Sequence, residues 1–324
     1  MRSMFIILCV LCWSMLAGEV IGEGLTGEAL HQYVVQHYKT NSTLGYNLAR
    51  DVMYSEIDLE PGNVLRGVYS GYSIVLDLSL DPSTDAYNKG INCEHTWPQS
   101  MGADSEPQRS DMHHLYPSRV EVNSSRGNDP FNEIPDSYTD NWYKDNYVVH
   151  SIPTVDIDWY SEKENDGVDC FEPREMRKGD IARSMFYFYC MYQDAADVGF
   201  WNQQKDILLV WNYLDPADDW ETNRTWSIAS YQENKPNPFV LDPTLAARMW
   251  FPSSIPQPPT GLVATASGSN MQLSWNAVTG ATGYIIEASG DMDTWEEVDV
   301  TTATSWSTPI AENRRYFRVR TKAW

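Results

Sequence analysis

The side chains best suited to catalysis or metal binding lie between Cys93 and Asn132, a stretch that holds three of the chain's six histidines. It begins Cys-Glu-His-Thr-Trp-Pro-Gln-Ser, passes through Asp-Met-His-His-Leu-Tyr-Pro-Ser, and closes with Glu-Val-Asn-Ser-Ser-Arg-Gly-Asn. Glu94 and Asn123 offer hard oxygen ligands of the kind that suit Mg²⁺. A neutral His95 takes a proton from water near pH 7. These groups predict metal-assisted attack of water on a phosphodiester.

The local pattern predicts the order strand, loop, strand, helix around these residues. The predicted elements are strands at 91–97 and 112–116, a loop at 100–111, and a helix that starts after Ser118 as its N-cap. Pro98 and Pro117 end the two predicted strands. Neighbouring side chains of a regular strand point to opposite faces, so Glu94 and His95 share one site only if the strand ends or twists there.

These motifs together resemble the endonuclease I family, which belongs to the larger group of ββα-metal (His-Me finger) nucleases. Three later segments also match that family: Lys178-Gly-Asp-Ile-Ala-Arg183, Trp220-Glu-x-x-Arg224 and Asn237-Pro-Phe239. The resemblance covers residues 25–245 and implies an α+β fold, a ββα-metal finger core with surrounding helices. It further implies a largely sequence-nonspecific endonuclease that acts on DNA, with RNA as a second possible substrate.

The resemblance assigns a role to each matching position. Glu94 and Asn123 correspond to the ligands of one divalent metal ion, for which we predict Mg²⁺, with Mn²⁺ or Ca²⁺ as alternatives. His95 corresponds to the general base. Two other interpretations of Asn123 are open, because the residue could cap a helix, and because Asn123-Ser-Ser is a glycosylation sequon whose glycan would block metal binding.

Four further residues complete the predicted site. Arg126 either contacts the phosphate as a catalytic residue or ties down the helix, and the sequence leaves both roles open. Arg109 is a candidate for substrate binding from the loop. We predict that His113 and His114 support the site structurally, one as a buttress and the other by packing.

Two other function classes compete with the nuclease. In the first, Cys93, His95, His113 and His114 form a structural zinc site, which would make the segment a non-catalytic extracellular binding module. In the second, the 13 tryptophans indicate an adhesin or a carbohydrate-binding protein. The zinc alternative leaves Glu94 and Asn123 without a role, and the second places many tryptophans at predicted core positions.

The overall charge argues against a broad basic surface for nucleic acid. Lys and Arg total 23 against 45 Asp and Glu, a formal net charge of −22 over 324 residues. A local basic patch is still predicted from seven cations in and after the central segment: Arg109, Arg119, Arg126, Arg174, Arg177, Lys178 and Arg183. A bound metal ion would add further positive charge.

The N-terminus predicts secretion. Arg2 precedes an apolar run from Phe5 to Leu16, which is typical of a signal peptide, here placed at 1–22. We therefore expect a secreted or periplasmic protein, and no later segment predicts a membrane span. Three cysteines remain after cleavage, so at least one thiol is free or bonds to another chain. We expect a monomer.

The rest of the chain divides at a proline-rich linker. The nuclease domain is predicted at 23–252, with helices at 23–39, 179–192, 201–214 and 220–231 and a helical or mixed stretch at 45–60. The linker covers 253–261, and residues 262–324 alternate with the period of strands. That final part resembles a fibronectin type III domain, a small all-β sandwich, which implies an accessory module whose partner is unknown.

Overall fold

The computed structural model describes residues 20–167, 169–251, 259–278, 281, 283–292, 294–310 and 316–322. Residues 1–19 of the predicted signal peptide, residue 252 and residues 253–258 of the predicted linker lie outside them. The described chain forms two compact units, one ending at Met249 and the other beginning at Trp250.

The first unit contains the helices of the described chain. They are α1 (Gly27–Tyr38), α2 (Tyr46–Val52), α3 (Pro82–Asn88), α4 (Val120–Arg126), α5 (Lys178–Met191), α6 (Val198–Leu214), α7 (Asp219–Tyr231), α8 (Pro238–Leu241) and α9 (Leu245–Trp250), the last of which ends at the boundary. Several begin at a side-chain cap, such as Asp197, which accepts a hydrogen bond from Phe200 N, and Asp218, which accepts one from Glu221 N. The helical segments predicted from periodicity are present, but the stretch predicted at 45–60 is mixed: α2 is followed by a π-helical turn at Met53–Ile57 and a strand at Leu59–Glu60.

Short antiparallel sheets accompany these helices. The strands are β1 (Leu59–Glu60), β2 (Val64–Arg66), β3 (Ser73–Val75), β4 (Ile91–His95), β5 (Leu115–Arg119), β6 (Asn141–Lys144), β7 (Tyr147–Val149), β8 (Ser161–Glu164) and β9 (Cys170–Glu172). They form sheets in the orders β1-β2-β3, β4-β5 and β7-β6-β8-β9. Helices and antiparallel sheets in one unit confirm the predicted α+β class.

The central segment folds as a hairpin followed by a helix, but its boundaries differ from the prediction. Strand β4 ends at His95, and β5 begins only at Leu115. Residues 112–114 form a 3₁₀ turn because the Asp111 side chain accepts a hydrogen bond from His113 N. Pro117 does not end β5. Its carbonyl points away from β4 and accepts a hydrogen bond from Val68 N, 2.8 Å away, so the missing N–H on that side removes no bond of the β4–β5 pairing.

The predicted N-cap at Ser118 is also wrong. Ser118 pairs with Asn92 inside the β4–β5 hairpin, so its side chain is not available at the helix start. Arg119 is the N-cap of α4, and it makes no capping bond with its side chain. The helix follows the hairpin directly, which places Asn123 next to the strand that carries Glu94.

Helix α5 forms the support beneath this hairpin. Its predicted apolar stripe is buried, as expected: Ile181, Met185, Phe188 and Tyr189, with Tyr192 just beyond the helix. Asp111 is fully buried and accepts hydrogen bonds from the hydroxyls of Tyr187 and Tyr192 at 2.8 and 2.6 Å. The turn that precedes β5 is therefore fixed to α5 by a buried carboxylate rather than by apolar contact alone.

The second unit is built from strands in its described parts. They are β10 (Val263–Ser267), β11 (Asn270–Ser274), β12 (Gly283–Ser289), β13 (Glu296–Thr301), β14 (Ser305–Pro309) and β15 (Tyr316–Lys322). Two antiparallel sheets, β10-β11-β14 and β13-β12-β15, bury one apolar core that includes Leu273, Trp275 and Ile286. Among the residues described in both units, we find no helix with the length and apolar character needed to span a bilayer.

Candidate active site

The end of β4 and the length of α4 border an open cleft of about 330 Å³. Glu94, His95 and Asn123 all line it, with Gln99 and Asn128 beside them. Because β4 ends at His95, the two neighbouring side chains are released from strict strand alternation and reach the same cleft. The structure thus brings together the three residues on which the predicted chemistry depends.

Glu94 is a buried carboxylate with only one oxygen occupied by protein. Its Oε1 accepts a hydrogen bond from the Tyr69 hydroxyl at 2.7 Å and lies 3.3 Å from Arg126 Nη1. Its Oε2 accepts no hydrogen bond from the described residues. Burial raises the pKa of Glu94 to about 7, although Arg126 and Tyr69 act in the opposite direction. A cation at Oε2 would offset this cost of burial.

Asn123 presents its oxygen in the same way. Its Nδ2 donates to Asn92 Oδ1 at 2.9 Å and to the Cys93 carbonyl at 3.1 Å. With the nitrogen held by the hairpin, Oδ1 remains as an acceptor with no donor among the described residues. Its position inside α4 removes the helix-capping alternative. A carboxylate oxygen and an amide oxygen, both without a partner among the described residues, fit a hard divalent cation.

His95 is held as a neutral base. Its Nε2 lies 3.0 Å from the Arg109 carbonyl, and since a carbonyl only accepts, Nε2 carries the proton. This tautomer leaves Nδ1 as a proton acceptor, 3.5 Å from Gln99 Nε2. Burial, and then the neighbouring His114, lower the pKa of His95 to about 3. The ring is therefore neutral, and its Nδ1 is able to accept a proton at neutral pH.

Arg126 is held by backbone carbonyls at the wall of the cleft. Its side chain is 0% exposed, and it lines the same cleft as Glu94, which is 2% exposed. Its guanidinium donates to the carbonyls of His95, Thr96 and Gly127 at 3.3, 2.7 and 3.3 Å. The residue therefore ties the end of α4 to the end of β4 and positions Glu94, while its predicted catalytic role stays a prediction.

Arg109 lies beside His95, in a cluster that the sequence analysis missed. The guanidinium groups of Arg109 and Arg50 each lie 4.5 Å from the centre of the Tyr46 ring, and that ring lies 5.3 Å from His95. Neither arginine pairs with a carboxylate in the described parts of the chain. Tyr46 and Arg50 sit on α2, far from the central motif in sequence, and no local pattern marks them. Two partly exposed cations thus lie next to His95.

His113 and His114 differ in how close they come to the site. The His114 ring lies 5.4 Å from the His95 ring, and its Nε2 is 2.6 Å from the Gln108 carbonyl. His95 and His114 therefore hold consecutive carbonyls of the 99–110 loop. His113 instead reaches the Lys235 carbonyl at 2.8 Å and packs on Tyr187. His114 supports the base directly, whereas His113 fixes a more remote segment.

Comparison with known proteins adds an independent observation. The family model described as Endonuclease I matches residues 26–244. The chain belongs to the endonuclease I family. An "Extracellular ribonuclease" of Bacillus subtilis (strain 168) is 29% identical over 250 residues, which cover 70% of this chain and 76% of that protein. An "Endonuclease-1" of Buchnera aphidicola subsp. Baizongia pistaciae (strain Bp) is 27% identical over 160 residues, 49% of this chain and 55% of that one.

Membership of the endonuclease I family makes this chain a nuclease and confirms the resemblance inferred from its motifs. A solved structure titled "Crystal Structure of FN3tt" is 21% identical and covers 18% of this chain and 66% of its own, with a TM-score of 0.17.

The zinc alternative is wrong for this endonuclease I family member. Cys93, His95, His113 and His114 all lie in described segments, and they do not form a group whose ligand atoms converge. Each of the three imidazoles bonds a different backbone carbonyl. Burial also raises the pKa of Cys93 to about 12, which keeps its sulfur protonated.

One acidic cluster elsewhere in the nuclease already has its cation. Glu133, Glu172 and Glu175 converge, and they are the only such group of possible ligands found among the described residues. Lys178 Nζ lies 2.9, 2.7 and 2.7 Å from their oxygens. An ammonium at the centre of three carboxylates occupies the position that a metal ion would need, so this cluster stabilises the start of α5.

Proposed function

We propose that the chain is a secreted endonuclease that hydrolyses phosphodiester bonds in nucleic acid, with His95 as the general base and one divalent metal ion. One observation carries the proposal: a neutral imidazole, with Nε2 fixed on the Arg109 carbonyl, shares a cleft with the unoccupied oxygens of Glu94 and Asn123. A base can activate the attacking water, and two hard oxygen ligands can bind a metal ion that offsets the charge of the phosphate.

The chain's own residues divide the work as follows. His95 Nδ1 accepts a proton from the attacking water, while the Arg109 carbonyl holds the ring in place. Glu94 and Asn123 would hold Mg²⁺, or Mn²⁺ or Ca²⁺ in its place, and the bound ion would act as a Lewis acid on the phosphate. Arg126 keeps Glu94 in position. Arg109 attracts the phosphate, and Arg50 is a second cation for this purpose.

The substrate follows from the contacts that are available. Arg50 and Arg109 are suited to phosphates, which carry no sequence information, so we propose cleavage that is largely independent of sequence. The names of the relatives include both an extracellular ribonuclease and an endonuclease. We therefore propose RNA as well as DNA as a substrate.

The proposed organisation of the whole protein rests on the sequence. A signal peptide at 1–22 would export the chain, in agreement with the name of its Bacillus relative. The nuclease domain would occupy 23–252, the linker 253–261, and a fibronectin type III-like domain 262–324. We propose that this last domain is an accessory module and that the enzyme works as a monomer.

The decisive experiment compares labelled single-stranded RNA and double-stranded DNA as substrates, each with Mg²⁺ or with EDTA. We expect Mg²⁺-dependent cleavage of both, and loss of about 10²–10⁴-fold in rate for His95→Ala. His113→Ala is the matched control, because it removes another buried imidazole from the same segment and leaves the cleft intact. Near-normal cleavage by folded His95→Ala, or full activity in EDTA, would exclude the mechanism.

A further inference from the structure

Among the arginines buried in the described chain, Arg174 alone lacks an acidic partner. Six arginines are buried, and five of them pair with a carboxylate: Arg126 with Glu94, Arg183 with Glu221, Arg224 with Asp58, Arg248 with Asp242 and Arg318 with Glu287. Arg174 is 4% exposed and forms no ion pair with any described residue. In a protein with 45 acidic residues, a buried cation without a carboxylate calls for an explanation.

The Arg174 guanidinium is fixed at one nitrogen and open at the others. Its Nε donates to the Val68 carbonyl at 3.1 Å, and no other side-chain hydrogen bond links it to the described residues. Nη1 passes Gly71, where a Cβ atom would lie only 2.9 Å away and where φ is +75°. Glycine at this position therefore permits the close approach. The guanidinium borders two adjoining cavities, the larger of about 320 Å³.

The charges around these cavities do not neutralise Arg174. Arg66, Arg177 and Lys144 also border the cavities and are paired with Glu60, Asp180 and Asp156. Burial, followed by the like charges of Arg177 and Arg66, lowers the pKa of Arg174 to about 10. Two acids complete the lining: Asp58, which Arg224 binds through both oxygens, and the exposed Asp145, which pairs with no described cation.

A large aromatic side chain lies on the wall of the same cavity. Trp159 is 49% exposed and lines the larger cavity together with Arg174 and Lys144. An exposed indole offers a face on which any nucleobase can stack, and an unpaired guanidinium binds a phosphate through two parallel hydrogen bonds. Both are contacts that single-stranded nucleic acid makes without regard to sequence.

We propose that Arg174 and Trp159 form a nucleotide subsite, in which the Arg174 guanidinium binds a phosphate and Trp159 stacks on the adjoining base. This inference rests on the proposed function, because the bound nucleotide belongs to the nucleic acid that the enzyme cuts. Val68 links the two sites, since its carbonyl holds Arg174 while the next residue, Tyr69, donates to Glu94. The subsite holds the strand away from the cleft and reads no base identity.

The first test measures binding of a short single-stranded oligonucleotide of mixed sequence to the full chain in EDTA, across a range of NaCl concentrations. Arg174→Met should raise Kd about tenfold or more, since bonds to charged groups are strong. The slope of log K against log salt should become shallower by about 0.7, the loss of one phosphate contact on a single strand. Lys205→Met on α6 is the control for net charge and should leave both quantities unchanged.

Three further variants separate binding from folding. Arg174→Lys keeps the charge and should recover most of the affinity lost in Arg174→Met. Trp159→Ala should raise Kd by about tenfold without changing the salt slope, because stacking releases no counterion. Asp145→Asn changes an exposed residue, so folding is not at risk. It should tighten binding about twofold to fivefold by removing a negative charge that lines the larger cavity and pairs with no described cation.

Inorganic phosphate distinguishes the two sources of the anion. If phosphate raises the Tm of the wild type but not of Arg174→Met, while both bind the oligonucleotide equally, a free-phosphate site replaces the nucleotide subsite and the proposal fails. Equal oligonucleotide affinity and equal phosphate response in folded Arg174→Met and wild type would also overturn it. Either result leaves the nuclease function standing as long as wild type cleaves, whereas a wild type that neither binds nor cuts contradicts the proposed function itself.

Discussion

Two buried glutamates with arginine neighbours, Glu221 on α7 and Glu94 on β4, differ in how many of their oxygens bond to protein. Arg183 donates to both oxygens of Glu221, at 2.9, 2.8 and 2.5 Å, so that carboxylate is saturated. Arg126 lies 3.3 Å from one oxygen of Glu94 and leaves the other free. The same residue pair therefore serves as a closed structural link in one region and as an incomplete site in the other.

The difference shows which buried charges the protein uses for stability and which for binding. Breaking a buried, fully hydrogen-bonded ion pair is strongly destabilising, because the partner left behind remains buried and uncompensated. An incompletely paired ion costs free energy in the folded state until a ligand arrives. Functional sites commonly retain such costs. The next four predictions test this contrast between the two regions.

The largest effect is expected on activity at Glu94. Glu94→Gln removes the charged ligand but keeps the shape of the side chain, so cleavage should fall by at least about a hundredfold. The free energy of unfolding in EDTA should change by no more than about 1 kcal/mol, because the wild-type carboxylate is itself poorly compensated. Cleavage assays and urea unfolding measure the two quantities. A large loss of stability with retained cleavage would reverse the roles assigned to the two glutamates.

Glu221→Gln should give the opposite result. The free energy of unfolding should fall by about 3 kcal/mol, since Arg183 would remain buried with only Asp180, 3.4 Å away, as an acidic partner. The cleavage rate per folded molecule should stay at the wild-type value, because Glu221 lies outside the cleft. Urea unfolding gives the stability, and single-turnover cleavage below the unfolding transition gives the rate. An unchanged midpoint in urea would show that the pair is dispensable.

A smaller effect is expected from His113. Burial lowers its pKa to about 4, below the unfolded value near 6.5, so the unfolded chain binds the extra proton more readily. This residue should therefore make stability decrease as the pH falls from about 6.5 to about 4. His113→Gln should make the free energy of unfolding less dependent on pH in that window. The same slope in variant and wild type would assign the pH dependence to other groups.

The smallest effect is expected from removal of the second unit. A chain that ends at residue 252 keeps the whole unit that carries the cleft, so its cleavage rate on free nucleic acid should equal that of the full chain. Circular dichroism provides the check on folding. Loss of cleavage by the folded, shortened protein would make the C-terminal strands part of the active site.

The sequence alone determined the chemical content of the site. Glu94, His95 and Asn123 were identified from their types and from their place in a strand–loop–strand–helix order, and the structure places all three in one cleft. The longer helices were also predictable, because periodicity and capping depend on residues within one or two turns, whereas the short helices α3, α8 and α9 were not predicted. The strand boundaries were not: Pro117 continues β5 because of a hydrogen bond from Val68, which no local rule anticipates.

Only the tertiary structure decided which charged groups are satisfied and which are free. The sequence left two roles open for Arg126 and gave no indication of Arg50 and Tyr46. It marked Arg174 only as one of several cations. These assignments depend on which elements pack together, as Asp58 and Arg224 do across 166 residues. A guanidinium has the same chemistry in every sequence context. Whether it stabilises the fold or binds a ligand is set by the carboxylate that packing does or does not bring within reach.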